Sequence, residues 1–171
     1  IEEHGELPLW VLFQKATFGT ASYFFSSLQN NIKDKICTEL NEEHNNRYGL
    51  KSSIFINPIF LENTIHFINS YRNVCAHNER FYNSTFQKRG FKVDYSHYTK
   101  TEFRGTIFDL LIILKLFLLK SDFEILKKDF KKQLNKLENE LVNNPNALEK
   151  IKRSALKLPI GWENILNHIW K

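Results

Sequence analysis

The chain of 171 residues has no methionine, two cysteines, four prolines and six glycines. Two cysteines, Cys37 and Cys75, build no disulfide framework and have no knuckle spacing, so a reducing, cytoplasmic setting is expected. Sparse proline and glycine leave little punctuation, which points to helices joined by short connections and to an all-α fold. No signal peptide is visible. The longest apolar run, "TIFDLLIILKLFLLK", spans about a dozen residues and is interrupted by Asp109 and Lys115, too short and too charged to cross a bilayer. It reads as a buried core helix, and no membrane partner is expected. With Ile1 first and no methionine anywhere, the natural start, and functional residues with it, is expected upstream.

Chemistry is also limited by absences. There is no HExxH and no paired Cys or His spacing, and His44, His66, His77 and His97 are scattered, so no metal site is expected. A Gly-rich phosphate loop is missing, which argues against nucleotide hydrolysis and leaves no call for a cofactor. Cys75 is a poor nucleophile for His77, because helix residues two apart do not face each other.

What is present suffices for a core: 42% hydrophobic residues, 14% aromatic, 15 phenylalanines. A single domain over 1–171 is expected, without repeats, low-complexity stretches or a dividing linker. The net charge of +5 fits an anionic partner, but also a plain solubility device.

Periodicity predicts a first helix in "LPLWVLFQKATFGTASYFFSSL", with Leu9, Trp10, Leu12, Phe13, Ala16, Tyr23, Phe24 and Leu28 at helical spacings and Gly19 permitting close packing or a bend. A more polar helix follows from Asn31 to about Asn45, and "RYGLKSS" is a break. Pro58 opens the next helix, whose stripe Leu61, Ile65, Ile68, Arg72, Cys75 marks one face and seats an arginine among core positions. A polar row, His66, Asn69, Asn73, His77 and Arg80, runs beside it. After a loop-like "STFQKRGFKVDYSHYTK", Thr101 to Lys120 is the most apolar helix. Ser121 or Asp122 is expected to cap the basic helix after it, and Asn146 the one beginning in "NNPNALEKIKRSALKL". Trp162, Ile165, Leu166, Ile169 and Trp170 share a face of a short terminal helix.

The stretch "INSYRNVCAHNERFYN" therefore places Arg72, Asn73 and His77 in an otherwise hydrophobic helix. One reading is structural: a buried arginine paired with Glu62 or Glu79, and a histidine that finishes the helix. The other is chemical, since an arginine can hold a phosphate and a histidine can move a proton. Residues five apart point about 140° away from each other on a regular helix. Arg72 and His77 then converge on one phosphate only if the helix is distorted between them or a second copy supplies the partner residues.

"RNVCAHNERFYN" resembles the signature of the Abi-like abortive-infection proteins of bacteria, the AbiD and AbiF type, within the HEPN superfamily of helical ribonucleases. "LPLWVLFQKATFGTASYFF" is similar to that family's opening, and "LPIGWENIL" to its terminal segment. Where the family often has an acidic residue shortly after the tryptophan, this chain has Gln14. The resemblance implies a HEPN-like helical bundle with additional terminal helices and metal-independent RNA cleavage by Arg72, Asn73 and His77. His77 would act on the ribose 2′-OH as base or acid, Arg72 would hold the phosphate, and Asn73 would position one of them. A 2′,3′-cyclic phosphate and a 5′-OH end are the implied products.

With RNA as substrate, Arg80, Asn69, His66, Tyr95 and Tyr98 become binding candidates, as do the segments "KKDFKKQLNK" and "KIKRSALK" and the ring of Phe91. A homodimer with a composite site is expected, and a regulatory RNA or protein antitoxin is a further partner to look for. The alternative is a non-catalytic helical module that binds RNA or protein. If the catalytic reading holds, RNA cleavage is the same with and without EDTA; activity lost to EDTA and restored by a divalent ion contradicts it.

Overall fold

Every regular element among the described residues of this computed structural model, 14, 16–48, 56–77, 79–86 and 103–168, is helical. We number these helices α1 (Phe18–Ser27), α2 (Asn30–Tyr48), α3 (Pro58–Ala76), α4 (Ile107–Phe117), α5 (Lys120–Glu140), α6 (Pro145–Lys150) and α7 (Trp162–His168). A 3-10 turn, Phe81–Asn83, follows α3, and a π turn, Ile151–Ala155, extends α6. The expected all-α class holds. Leu9, Trp10, Leu12, Phe13, Phe91, Tyr95, His97, Tyr98, Ile169 and Trp170 lie outside the described residues.

Several boundaries differ from the sequence pattern, each for a local reason. Helix α1 starts at Phe18 because the Thr17 side chain accepts the Thr20 N–H at 3.1 Å. Tyr23, expected on the apolar face, is 75% exposed, while Ser22 and Phe25 are buried. The apolar run of α4 begins at Ile107 rather than Thr101, set by a capping box between Thr106 and Asp109. Neither Ser121 nor Asp122 caps α5; it starts at Lys120 without a side-chain cap, at the register that buries Phe123. Asn144, not Asn146, caps α6, accepting the Ala147 N–H at 3.1 Å, with Pro145 where a missing N–H costs nothing.

The core gathers around α3 and α4, which pack on each other; α1 and α2 lie against α3, and α5 against α4. From Ile107 to Leu116 only Leu114 is not buried, so α4 is the buried core helix that its sequence predicted. Its two charged residues are buried with it: Asp109 at 1% exposure and Lys115 at 6%. Lys115 donates to the Leu166 carbonyl of α7 and lies over the Phe123 ring at 5.7 Å, and burial lowers its pKa to about 8. At the same end of α4, His44 Nδ1 donates to the Leu116 carbonyl at 3.2 Å and Arg47 to that of Phe117 at 3.2 Å. Burial holds the His44 ring below its ordinary pKa, against the opposing pull of the Leu116 carbonyl.

Asp109 anchors the turn before α4. Its Oδ2 accepts the Arg104 N–H at 3.1 Å, the Thr106 N–H at 2.6 Å and the Thr106 hydroxyl at 2.9 Å. Burial pushes its pKa from 3.8 up to about 6. The folded chain thus holds the proton more tightly than the unfolded one, so this contribution is complete below the ordinary value of 3.8 and is lost as the pH rises through about 6. Asp109→Asn keeps an oxygen acceptor and removes the titration, so thermal unfolding followed across this window declines less with pH in the variant than in wild type. Asp109→Ala removes the acceptor and costs about 1–3 kcal/mol. Identical pH slopes for wild type and the asparagine variant contradict the assignment.

Candidate functional site

Helix α3 begins with Asn57 accepting the Phe60 N–H at 2.8 Å and Pro58 in its first turn. Its buried residues are Phe60, Leu61, Thr64, Phe67, Tyr71 and Val74. The expected stripe Leu61, Ile65, Ile68, Arg72, Cys75 is therefore displaced: Arg72 and Cys75 are exposed. One residue on a helix is a rotation of about 100°. The parallel register Phe60, Thr64, Phe67, Tyr71, Val74 has the same steps of four and three and carries no charge, so it faces the core.

Arg72 is thus no buried arginine. Glu62 pairs with Lys33 at 3.6 Å, and no ion pair involves Arg72 among the described residues. Instead, Arg72 Nη1 donates to Asn73 Oδ1 at 3.2 Å. The helix stays regular through Ala76 and ends at His77, whose N–H reaches the Asn73 carbonyl at 2.9 Å, while the Glu79 N–H closes onto the Val74 carbonyl at 3.0 Å. Asn73 and His77, four apart, share a face, and the guanidinium of Arg72 is held on the Asn73 side chain. Arg72, Asn73 and His77 are all exposed at the end of one helix.

The polar row is divided by α1. His66 and Asn69 are half-buried beneath it: Ser22 Oγ lies 3.2 Å from His66 Nδ1, and the Tyr23 ring meets the His66 ring edge-on at 6.3 Å. Gly19 faces Asn69, where an added Cβ would sit 3.8 Å from the amide, ordinary van der Waals contact. Asn73 and His77 continue past this cover into the open, whereas Arg80, expected in the same row, is exposed but lies beyond the helix, which ends at Ala76. Among the expected binding residues, Tyr95 and Tyr98 lie outside the described ones.

The open end has a rigid backing which the sequence pattern did not single out. The Tyr71 hydroxyl, buried beside Arg72, lies 3.0 Å from the Ser84 carbonyl and 3.1 Å from that of Gly105, sharing its proton between them. The Phe86 N–H donates to the same Gly105 carbonyl at 2.9 Å. Gly105 has φ +69°, and a Cβ there would come within 2.5 Å of the Phe86 carbonyl oxygen, so glycine is required. Edge-on contacts of the Tyr71 ring with Phe67, Phe81 and Phe86 complete the packing. Burial pushes the phenol well above its ordinary pKa, so it stays a donor. Among the described residues no group of His, Cys, Asp and Glu could hold a metal ion, and no helix is long and apolar enough to cross a membrane.

Residues 1–83 match the family model described as Abi-like protein, a stretch that contains both Phe18–Thr20 and Arg72–His77. The match covers just under half of the chain and marks this stretch as similar to Abi-like proteins. The similarity of "LPIGWENIL" lies beyond the matched stretch. No curated protein and no solved structure matches the chain.

Exposure of the motif separates its chemistry from stability. Arg72→Ala and His77→Ala are expected to shift the unfolding free energy by no more than about 0.5 kcal/mol in urea titrations. Tyr71→Phe, which removes the donor from the Ser84 carbonyl and leaves that of Gly105 with the Phe86 N–H alone, costs about 0.5–1.5 kcal/mol. A large loss of stability in Arg72→Ala revives a structural role for the arginine.

Proposed function

We propose that this Abi-like chain acts in phage defence as a metal-independent endoribonuclease of the HEPN type. The observation that carries the reading is the exposed group at the end of α3, where Arg72 leans onto Asn73 and Asn73 shares a face with His77. An imidazole there can take the proton of a ribose 2′-OH or return one to the departing 5′-oxygen. The guanidinium can meet the charge that grows on the phosphate as the 2′-oxygen attacks, and such charge stabilisation is a large part of catalysis. Internal attack by the 2′-oxygen expels the 5′-oxygen and leaves a 2′,3′-cyclic phosphate and a 5′-OH. The exposed rings of Tyr23, beside His66, and of Tyr82, in the 3-10 turn after the motif, offer stacking surfaces for unpaired bases.

One imidazole cannot act as base and acid at the same instant. Two copies related by a two-fold axis bring two, and the uncovered end of the row, Asn73 and His77, with the exposed Arg80 just beyond the helix, is open to a symmetry mate. The working form in this reading is a homodimer with a composite site, held in check by a regulatory RNA or a protein antitoxin.

Incubation of labelled single-stranded RNA with wild type, Arg72→Ala and His77→Ala tests the proposal. Both variants are expected to retain binding and to cleave about 10²- to 10⁴-fold more slowly; undiminished cleavage by His77→Ala ends the catalytic reading. In a mixture of the two variants that exchange partners, cleavage is expected to stay largely absent, since the composite site draws both residues from both chains. A monomer that cleaves at full rate refutes the composite site.

A further inference from the structure

The turn that receives the Tyr71 hydroxyl also forms one wall of a cavity of about 350 Å³. Three cations line it from two distant parts of the sequence: Arg104, just before α4, and Arg153 and Lys157, in and after the π turn. All three residues are exposed. The backbone that presents the second pair is unusual. The Leu156 N–H reaches the Ile151 carbonyl at 2.9 Å, a widened turn of the kind that recurs at functional sites, and Lys157 holds φ +51° without being a glycine. Arg153 Nη1 folds back onto the Leu158 carbonyl at 2.9 Å, and Lys157 Nζ donates to Thr85 Oγ1. Thr85 stands in the segment that leaves the Arg72–His77 motif, so the cavity and the candidate active site are joined at both Thr85 and Gly105.

Two carboxylates are nearby, and both are engaged. Asp109 is buried in the wall with its Oδ2 taken by the Arg104 and Thr106 donors, and Glu149 lies 3.4 Å from Arg153 Nε. Arg104 has no carboxylate partner among the described residues, and Lys157 meets only a hydroxyl. Pro159 and Ile160, the latter 83% exposed, give the rim an apolar side suited to a sugar or a base face.

We infer that this cavity is a phosphate subsite for the RNA strand, holding a backbone phosphate next to the one that is cut. The inference rests on the ribonuclease reading. Guanidinium groups offer the forked donors that phosphate oxygens accept, and a cation at the end of a strained turn adds a fixed point charge. The subsite would set which stretch of the strand crosses Arg72 and His77, leaving base identity unread.

The double variant Arg104→Gln, Lys157→Asn tests this on a His77→Ala background, so that the RNA stays whole. The Arg104 side chain is exposed and its structural bond is made by its N–H, and asparagine tolerates the left-handed backbone, so the turn is retained. The probe is a fluorescein-labelled single-stranded RNA, and its Kd is measured across a salt series. Binding several-fold weaker is expected, with the log–log salt slope shallower by about 1.4, about 0.7 for each lost contact to a single strand. Arg104→Gln alone, expected to lose about 0.7 of slope, serves if the double variant fails to fold. Unchanged affinity and slope overturn the subsite while leaving the ribonuclease reading in place. Absence of RNA binding by the His77→Ala parent itself overturns both.

Discussion

The candidate site depends on one buried hydroxyl. Tyr71 OH reaches two backbone carbonyls, of Ser84 and of Gly105, and so joins the last turn of α3 to the segment that leaves it and to the turn that opens α4. Arg72 is the next residue along the chain. An exposed arginine is ordinarily free to wander, but its backbone here is held by a phenol that is 2% exposed and packed against three phenylalanines. Asp109 extends the same restraint, fixing the 103–106 turn through two N–H groups and a hydroxyl. Precision at a reactive site comes from such backing more than from the reactive groups themselves.

Helix α1 divides the polar row on α3 into two parts with different uses. Where Gly19 and Ser22 cross it, His66 and Asn69 are drawn into contacts between helices. Beyond the crossing, Asn73 and His77 face outward, next to the exposed Arg72. A row that is uniform in sequence thus becomes a partly covered anchor and an open end. The cationic cavity is tied to the segment that follows this open end by the bond from Lys157 to Thr85.

How much of this was legible in the sequence depended on the kind of signal. Pro58 announced α3, and the apolar run around Leu110 to Leu116 announced the buried α4, because propensity and burial agreed there. The motif itself was legible as an arrangement of residue types. Its orientation was not, because the stripes through Arg72 and through Tyr71 share the same spacing, and only packing against α4 and the Phe81–Phe86 segment selects the latter. Caps were missed where two candidates stood close together, as with Asn144 and Asn146. The meeting of Arg104 with Lys157 had no local signal, since 52 intervening positions and a π turn separate them.

The central claim is that the end of α3 directs a ribose 2′-OH against its own phosphate. Analysis of product ends tests it most directly: one RNA is incubated with the protein in its natural form and again with 2′-O-methyl groups throughout, and the cut fragments are examined for their termini. The account predicts 2′,3′-cyclic phosphate and 5′-OH ends from the natural RNA and no cutting of the methylated one. Fragments with 5′-phosphate ends, or equal cutting of the methylated RNA, would contradict it.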